Sequence, residues 1–352
     1  MSILQIDDNC FRVDSKRPSV GTGTEVPGVL DTSFPSAGVD SMPSAPTRSP
    51  ITHLRHVALA VPDYAAAVEF NRGLWGLTPV ADDGDVTFFA AEASSEQYIL
   101  RIRRSPDKRL DLIAFGAESD EAVDELAERL GRAAVRLDRE PDKLDTPGGG
   151  YGFRFFDPDG RLVEVSSGVA QREHRELEPR ESIPRQLSHV VVNSTDVAST
   201  KRFYESLLGF KLSDWLEDQM CFLRTRTAHH ILAIGHGPHT SLNHVSFEMR
   251  GIDEYMRGSG RLIRAGKTPL WGPGRHGAGD NTFTYFLDPN GNVVEYTTEL
   301  EKVTDDDAWE PRTFTASPEQ ADQWGTGGLI TDAMIPAMFN DPDKGLWTPA
   351  PV

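Results

Sequence analysis

Three ionisable side chains stand inside otherwise apolar, strand-like runs of this sequence: His189 in Leu-Ser-His-Val-Val-Val, His244 in Leu-Asn-His-Val-Ser-Phe, and Glu295 in Val-Val-Glu-Tyr. Glutamate is depleted from strands and almost never fully buried without a partner, so something must compensate its charge. A lone strand histidine is ordinarily a satisfied core or edge residue. Two imidazoles and a carboxylate in one segment are different, because together they form the facial ligand set of non-haem iron(II) oxygen-using enzymes, with positions left open for substrate and dioxygen. Magnesium and calcium prefer all-oxygen shells and zinc usually closes at four ligands, so Fe(II) suits the set, with Mn(II) as the alternative. Cys10 and Cys221 are too few for a disulfide framework and are not spaced as a metal pair. Of the ten histidines, six lie from His189 to His244. Two of these, His236 and His239, fall in a Gly-His-Gly-Pro-His run that reads as a polar surface turn.

The elements that must position these residues come from an internal repeat. His56 to Asp63 is matched by His189 to Asp196, an offset of 133, and in each copy a strand-like run ends at an Asp suited to cap a helix. The helices align as Phe70, Leu74, Trp75, Gly76 and Phe203, Leu207, Leu208, Gly209, giving one apolar face and a glycine stop. Each copy closes with Asp-Pro-x-Gly between strand-like runs, Phe156 to Glu164 and Leu287 to Glu295, which reads as a tight turn joining two strands. Second helices are expected near Asp120 to Arg132 and Ile252 to Ala265. The reading is an α+β protein of two tandem modules of about 120 residues, whose curved sheets could enclose a cavity.

The modules are expected at 51–170 and 187–300, joined by an Arg-, Glu- and Pro-rich linker at 171–186. Residues 1–50 hold 22 Ser, Pro, Gly or Thr without a regular period, which suggests a mobile arm or strap. Residues 301–352 carry ten acidic and three basic residues, yet three of the six tryptophans, Trp309, Trp324 and Trp347. A merely solvating tail would rarely carry them, so this one is expected to dock on the second module. The formal charge of −18 opposes non-specific binding to nucleic acid or an anionic membrane. No apolar run approaches the roughly 20 residues of a membrane span, and the amino terminus lacks a signal pattern. A cytoplasmic protein with a small-molecule partner is therefore expected.

The duplicated module, the runs around His189, His244 and Glu295, and Gly274-Arg-His276 with Asp288-Pro-Asn-Gly291 resemble the type I extradiol ring-cleavage dioxygenases of the vicinal oxygen chelate superfamily. The resemblance covers residues 52 to about 300. It implies paired β-α-β-β-β units that form barrels, with the active site in the second, and Fe(II)-dependent cleavage of a catechol-type ring by dioxygen in aromatic hydrocarbon catabolism. A homo-oligomer is expected. The resemblance also implies His230, His276 and Tyr285 as catalytic residues. His230 heads a His-x-x-Ala run, with adjacent His229 as the alternative. A histidine can exchange a proton at neutral pH, and a tyrosyl hydroxyl can hydrogen-bond a catecholate oxygen. Val191, Trp271, Arg275, His276 and Tyr285 are the expected substrate contacts; Arg275 either meets a carboxylate or faces outward. The competing readings are a glyoxalase-like metal-dependent isomerase or lyase of the same superfamily and a non-catalytic small-molecule binding protein. In the first module His56 and Glu164 fall under His189 and Glu295, but Leu112 replaces His244 and Tyr98 replaces His230. One metal per chain is therefore expected, with Glu164 paired to an Arg or to backbone.

Overall fold

The repeat folds as two copies of one plan. The computed structural model describes residues 48–351, so the expected arm lies outside the described residues except for its last three. The first module runs β1 (Ile51–Val61), α1 (Tyr64–Glu69) with a π-helical turn at Phe70–Trp75, β2 (Thr78–Asp82), β3 (Val86–Ala90) and β4 (Leu100–Arg104). It continues with β5 (Arg109–Ala117), α2 (Asp120–Arg132), β6 (Leu137–Lys143), β7 (Tyr151–Phe156) and β8 (Leu162–Ser167). The second repeats this order: β9 (Gln186–Ser194), α3 (Val197–Leu208), β10 (Lys211–Leu216), β11 (Met220–Arg224), β12 (Leu232–His236), β13 (Ser241–Glu248), α4 (Ile252–Arg264), β14 (Trp271–Arg275), β15 (Thr282–Leu287) and β16 (Val293–Thr298). A short β17 (Arg312–Phe314) and helices α5 (Pro318–Ala321) and α6 (Met334–Phe339) follow.

Local chemistry sets these boundaries. The Asp63 and Asp196 side chains accept from the backbone N–H groups of Ala66 and Ser199 and so cap the helices that follow each first strand. Gly76 and Gly209, at φ of 90° and 74°, end them in the left-handed conformation that a Cβ disfavours. In each Asp-Pro-x-Gly turn the glycine N–H donates to the Asp carbonyl, Gly160 to Asp157 and Gly291 to Asp288, and the flanking strands pair antiparallel.

The sheet orders are β2-β3-β4-β1-β5-β8-β7-β6 and β14-β15-β16-β13-β9-β12-β11-β10-β17, the same order read in opposite directions with one strand added. The sheets are curved but do not close into the expected barrels. Their end strands are not paired with each other, and the outer edge of β10 is instead covered by β17 in parallel. The modules share one core. Trp75, fully buried, stacks on Tyr296 at 4.0 Å between centroids and meets the edges of Phe247 and Phe286, while the Tyr296 hydroxyl donates to the Trp75 carbonyl at 2.5 Å. Aromatic pairs of this kind add about 0.5–1.5 kcal/mol beyond area burial. They fix β16, and with it Glu295, against the first module.

The linker is pinned: Glu254 accepts from the backbone N–H groups of Arg180 and Ser182 at 2.8 Å. The tail docks, but not only on the second module. The Trp309 indole donates to the Ser213 carbonyl at 2.8 Å, whereas Trp347 packs on Phe156, and the Asp343 carboxylate accepts from the Leu110 N–H at 2.9 Å, both in the first module. The tail therefore straps the two modules together, and Trp324 stays substantially exposed. Among the described residues no helix is long and apolar enough to cross a membrane.

Candidate metal centre and its surroundings

Strand register places the candidate ligands side by side. In the sequence of neighbours β15-β16-β13-β9, Tyr285 lies opposite Glu295, Glu295 opposite Ser246, and Ser246 opposite His189. Side chains two apart on a strand share a face, so His244 joins them on β13. The resulting cluster is tight: His189 Nε2 is 3.1 Å and His244 Nε2 3.6 Å from one Glu295 carboxylate oxygen, and the three ligand atoms lie within 4.8 Å of one another. All three residues are buried.

The outer sides of the imidazoles are anchored. His244 Nδ1 lies 2.7 Å from the Asn243 amide oxygen, which only accepts, so the proton is on Nδ1 and the Nε2 lone pair faces the carboxylate. The Ser188 hydroxyl lies 3.0 Å from His189 Nδ1. Burial pushes both imidazoles down to about 3, which keeps them neutral, as a ligand must be. Burial pushes the Glu295 carboxyl up. Among the described residues neither Glu295 oxygen nor His244 Nε2 has a hydrogen-bond partner. A fully buried carboxylate facing two imidazole lone pairs lacks only a cation.

Two other carboxylate clusters show what compensation looks like in this protein. In the first module Arg154, at the place of Tyr285, meets Glu164 through Nε and Nη2, each at 2.9 Å. Leu112 offers no ligand at the place of His244, and Tyr98 packs tilted beside His56 as His230 packs tilted beside His189. The expected Arg partner for Glu164 is thus Arg154. Asp214, His229 and Glu301 also approach ligand spacing, but Arg312 reaches both carboxylates, at 2.8 and 2.6 Å. Each has its guanidinium; among the described residues the Glu295 cluster has none.

The other expected site residues divide. The His230 ring lies 4.3 Å from that of His189, while His229 turns away, its Nε2 2.8 Å from Asp214, so of the two it is His230 that faces the cluster. His276 Nδ1 donates to the Ala321 carbonyl at 2.9 Å, which leaves Nε2 to accept from the Tyr285 hydroxyl, also at 2.9 Å. Burial lowers the His276 and His230 imidazoles and raises the Tyr285 phenol. Val191 shares the His189 face and packs with Phe222, Ala233 and Ala278 under Phe314 of the tail. Trp271 stacks on Tyr285 at 5.9 Å, and its indole donates to the Gly328 carbonyl. Arg275 meets carboxylates of its own chain. Its guanidinium pairs with Asp280 and Glu299 at 2.9 and 2.8 Å, so both sides of the fork meet the protein's own carboxylates. Asn243, Asp214, Phe222, Phe314 and the Ala321 carbonyl were not singled out from sequence. Only Asn243, adjacent to a ligand, carried a signal there.

Comparison with known proteins agrees with the two-module fold. The family profile described as "Glyoxalase/Bleomycin resistance protein/Dioxygenase superfamily" matches residues 53–165 and 186–296, the two modules. Metapyrocatechase 2 of Cupriavidus necator is 30% identical over 304 residues, covering 80% of this chain and 92% of its own. A manganese-dependent 2,3-dihydroxybiphenyl 1,2-dioxygenase of Geobacillus genomosp. 3 is 26% identical over 74% of this chain and 89% of its own. The crystal structure of a Mn(II)-bound glyoxalase from Novosphingobium aromaticivorans superposes with a TM-score of 0.81 at 43% identity, over 86% of this chain and 99% of that one.

Proposed function

The chain belongs to the glyoxalase/bleomycin resistance protein/dioxygenase superfamily, and we propose that within it the protein is an extradiol dioxygenase, cleaving a catechol-type ring beside its two hydroxyls. The observation that carries the reading is the uncompensated Glu295 carboxylate between two anchored imidazoles, with His230, His276 and Tyr285 around it. His189, His244 and Glu295 are the proposed ligands of one metal ion, with Fe(II) favoured by the donor set and Mn(II) as the alternative. When bound, such an ion would supply Lewis acidity toward the catechol oxygens and an electron path from the ring to dioxygen.

The chain's own residues account for the remainder. His230 is buried and neutral beside the ligand cluster, so its free ring nitrogen can take a proton from a substrate hydroxyl and return it as the ring opens. The Tyr285 hydroxyl, held by His276 Nε2, can hydrogen-bond the developing catecholate oxygen. Val191, Phe222, Ala278 and Phe314 form an apolar wall suited to a flat ring and to excluding water. Trp271 acts from behind, by holding Tyr285 in place. Arg275 is left out of the substrate contacts, because its charge is already matched by Asp280 and Glu299.

The 43% identical glyoxalase motivates one competing reading, a metal-dependent isomerase. Anaerobic reconstitution with Fe(II) or Mn(II), followed by oxygen uptake on addition of a catechol panel, separates the two. Substrate-dependent oxygen consumption supports the dioxygenase. Turnover of a thiol-aldehyde adduct without oxygen uptake would support the isomerase.

A further inference from the structure

We propose that His229 and Asp214 are positioning residues that fix the tautomer and direction of His230. The inference rests on the reading of His230 as the group that handles the proton.

The argument begins at Asp214, buried on β10. The polar groups that reach its carboxylate are donors: the Arg312 backbone N–H at 2.7 Å, the Arg312 guanidinium at 2.8 Å and His229 Nε2 at 2.8 Å. Burial works against its charge, but the hydrogen bonds from His229 and Arg312 outweigh it and hold its carboxyl below the usual range. An ionised carboxylate only accepts, so His229 must carry its proton on Nε2. A ring carrying that single proton offers Nδ1 as an acceptor, and 2.9 Å away stands His230 Nδ1. That bond requires the proton of His230 to be on Nδ1. Its Nε2 lone pair is thereby left free on the side of His189.

The ring of His229 is held as well. Its backbone N–H donates to the Glu301 carbonyl at 2.9 Å, its carbonyl accepts from the Ser213 hydroxyl, and Trp309 lies edge-on at 5.9 Å. Arg312 reaches Asp214 because β17 pairs with β10 in the register Asp214 to Arg312. The tail thus braces His230 from behind, through two residues that make no contact with the ligand cluster's carboxylate. The first module lacks the device: Gln97 and Tyr98 occupy the places of His229 and His230, and the Gln97 amide donates to the Ala170 carbonyl instead. It accompanies the module that has the ligand set. This is the logic by which a buried carboxylate holds a catalytic imidazole in one tautomer in hydrolase triads.

The test combines two variants with a readout that needs no turnover. Nitrogen-15 NMR of the metal-free protein, assigned by difference with His230→Gln, should show His230 protonated on Nδ1 and bare on Nε2. His229→Phe keeps a ring but removes both nitrogens; Asp214→Asn keeps the shape but removes the obligate acceptor. Each should lose the tautomer preference and at least tenfold in kcat in the iron-loaded enzyme. Iron stoichiometry and catechol KM should stay within about twofold of the parent. An Nε2-protonated His230 in the parent overturns the proposal without recourse to any variant, and so does full kcat in either one. Full turnover in His230→Gln would instead sink the reading of His230, whatever the tautomer spectrum shows.

Discussion

Glu164 and Glu295 occupy the same place in the two modules, yet the same substitution should affect them in opposite directions. Glu164→Gln removes the partner of the buried Arg154 guanidinium, whose Nε and Nη2 both sit 2.9 Å from the carboxylate. Breaking a buried pair from one side typically costs about 3–5 kcal/mol, because the remaining charge stays buried without compensation. Glu295→Gln removes a carboxylate that accepts no hydrogen bond among the described residues and that burial already drives toward its neutral form. A neutral amide in its place has no charge to desolvate, so the metal-free variant should gain rather than lose stability, by about 1–3 kcal/mol. The assay is urea unfolding at pH 7 after chelation, repeated with saturating metal. Under metal the order for Glu295 reverses: at a free concentration of about 100 Kd the parent gains roughly 2.7 kcal/mol by mass action, and the variant, short of a ligand, does not. If metal-free Glu295→Gln loses as much stability as Glu164→Gln, the claim that Glu295 awaits a cation is wrong.

Three further outcomes follow from the same geometry. His230→Gln should keep its iron and lose about 10²-fold or more in kcat, the usual range for a general acid–base residue; unchanged steady-state kinetics would remove it from the proton-handling role. His56, buried and held well below its ordinary value by burial and by Arg55, Arg101 and Arg154, stays neutral when folded but protonates below about pH 6.5 when unfolded. Its contribution therefore falls as pH falls, by about 1.2 kcal/mol between pH 7 and 5.5, so unfolding curves of His56→Leu should be less pH-dependent by that amount, and equal slopes would contradict the assignment. Truncation after Lys302 removes Arg312 from Asp214 and the Ala321 carbonyl from His276, and should lower turnover and speed iron loss in stopped-flow chelation. Parent-like values would reduce the tail to an appendage.

How much of this was legible beforehand depends on where each signal resides. His189, His244 and Glu295 are visible because a charge in an apolar strand run is anomalous on its face, and the offset of 133 exposes the repeat without any structure. The helix caps Asp63 and Asp196, the stops Gly76 and Gly209, and both Asp-Pro-x-Gly turns are local, and they form as the sequence implies. Asp214 and Phe314 are not legible, since their roles exist only through the β10–β17 register, about 100 residues apart in the chain. The Ala321 carbonyl has no side-chain signature at all. Arg275 is ambiguous for a related reason: an arginine beside a binding loop looks available until Asp280 and Glu299 are seen to flank it. Sheet closure is likewise a long-range outcome, and periodicity within a strand says nothing of whether two distant edges meet.

The central claim, ring opening by both atoms of dioxygen at the His189–His244–Glu295 centre, is most directly tested by isotope incorporation. The iron-reconstituted protein is mixed with a catechol under ¹⁸O₂, and the product is trapped and weighed by mass spectrometry. The account predicts a ring-opened hydroxymuconic semialdehyde or close analogue carrying two heavy oxygen atoms, absent in Glu295→Gln. A product with one label, or none, or an unaltered yield in Glu295→Gln, would contradict it.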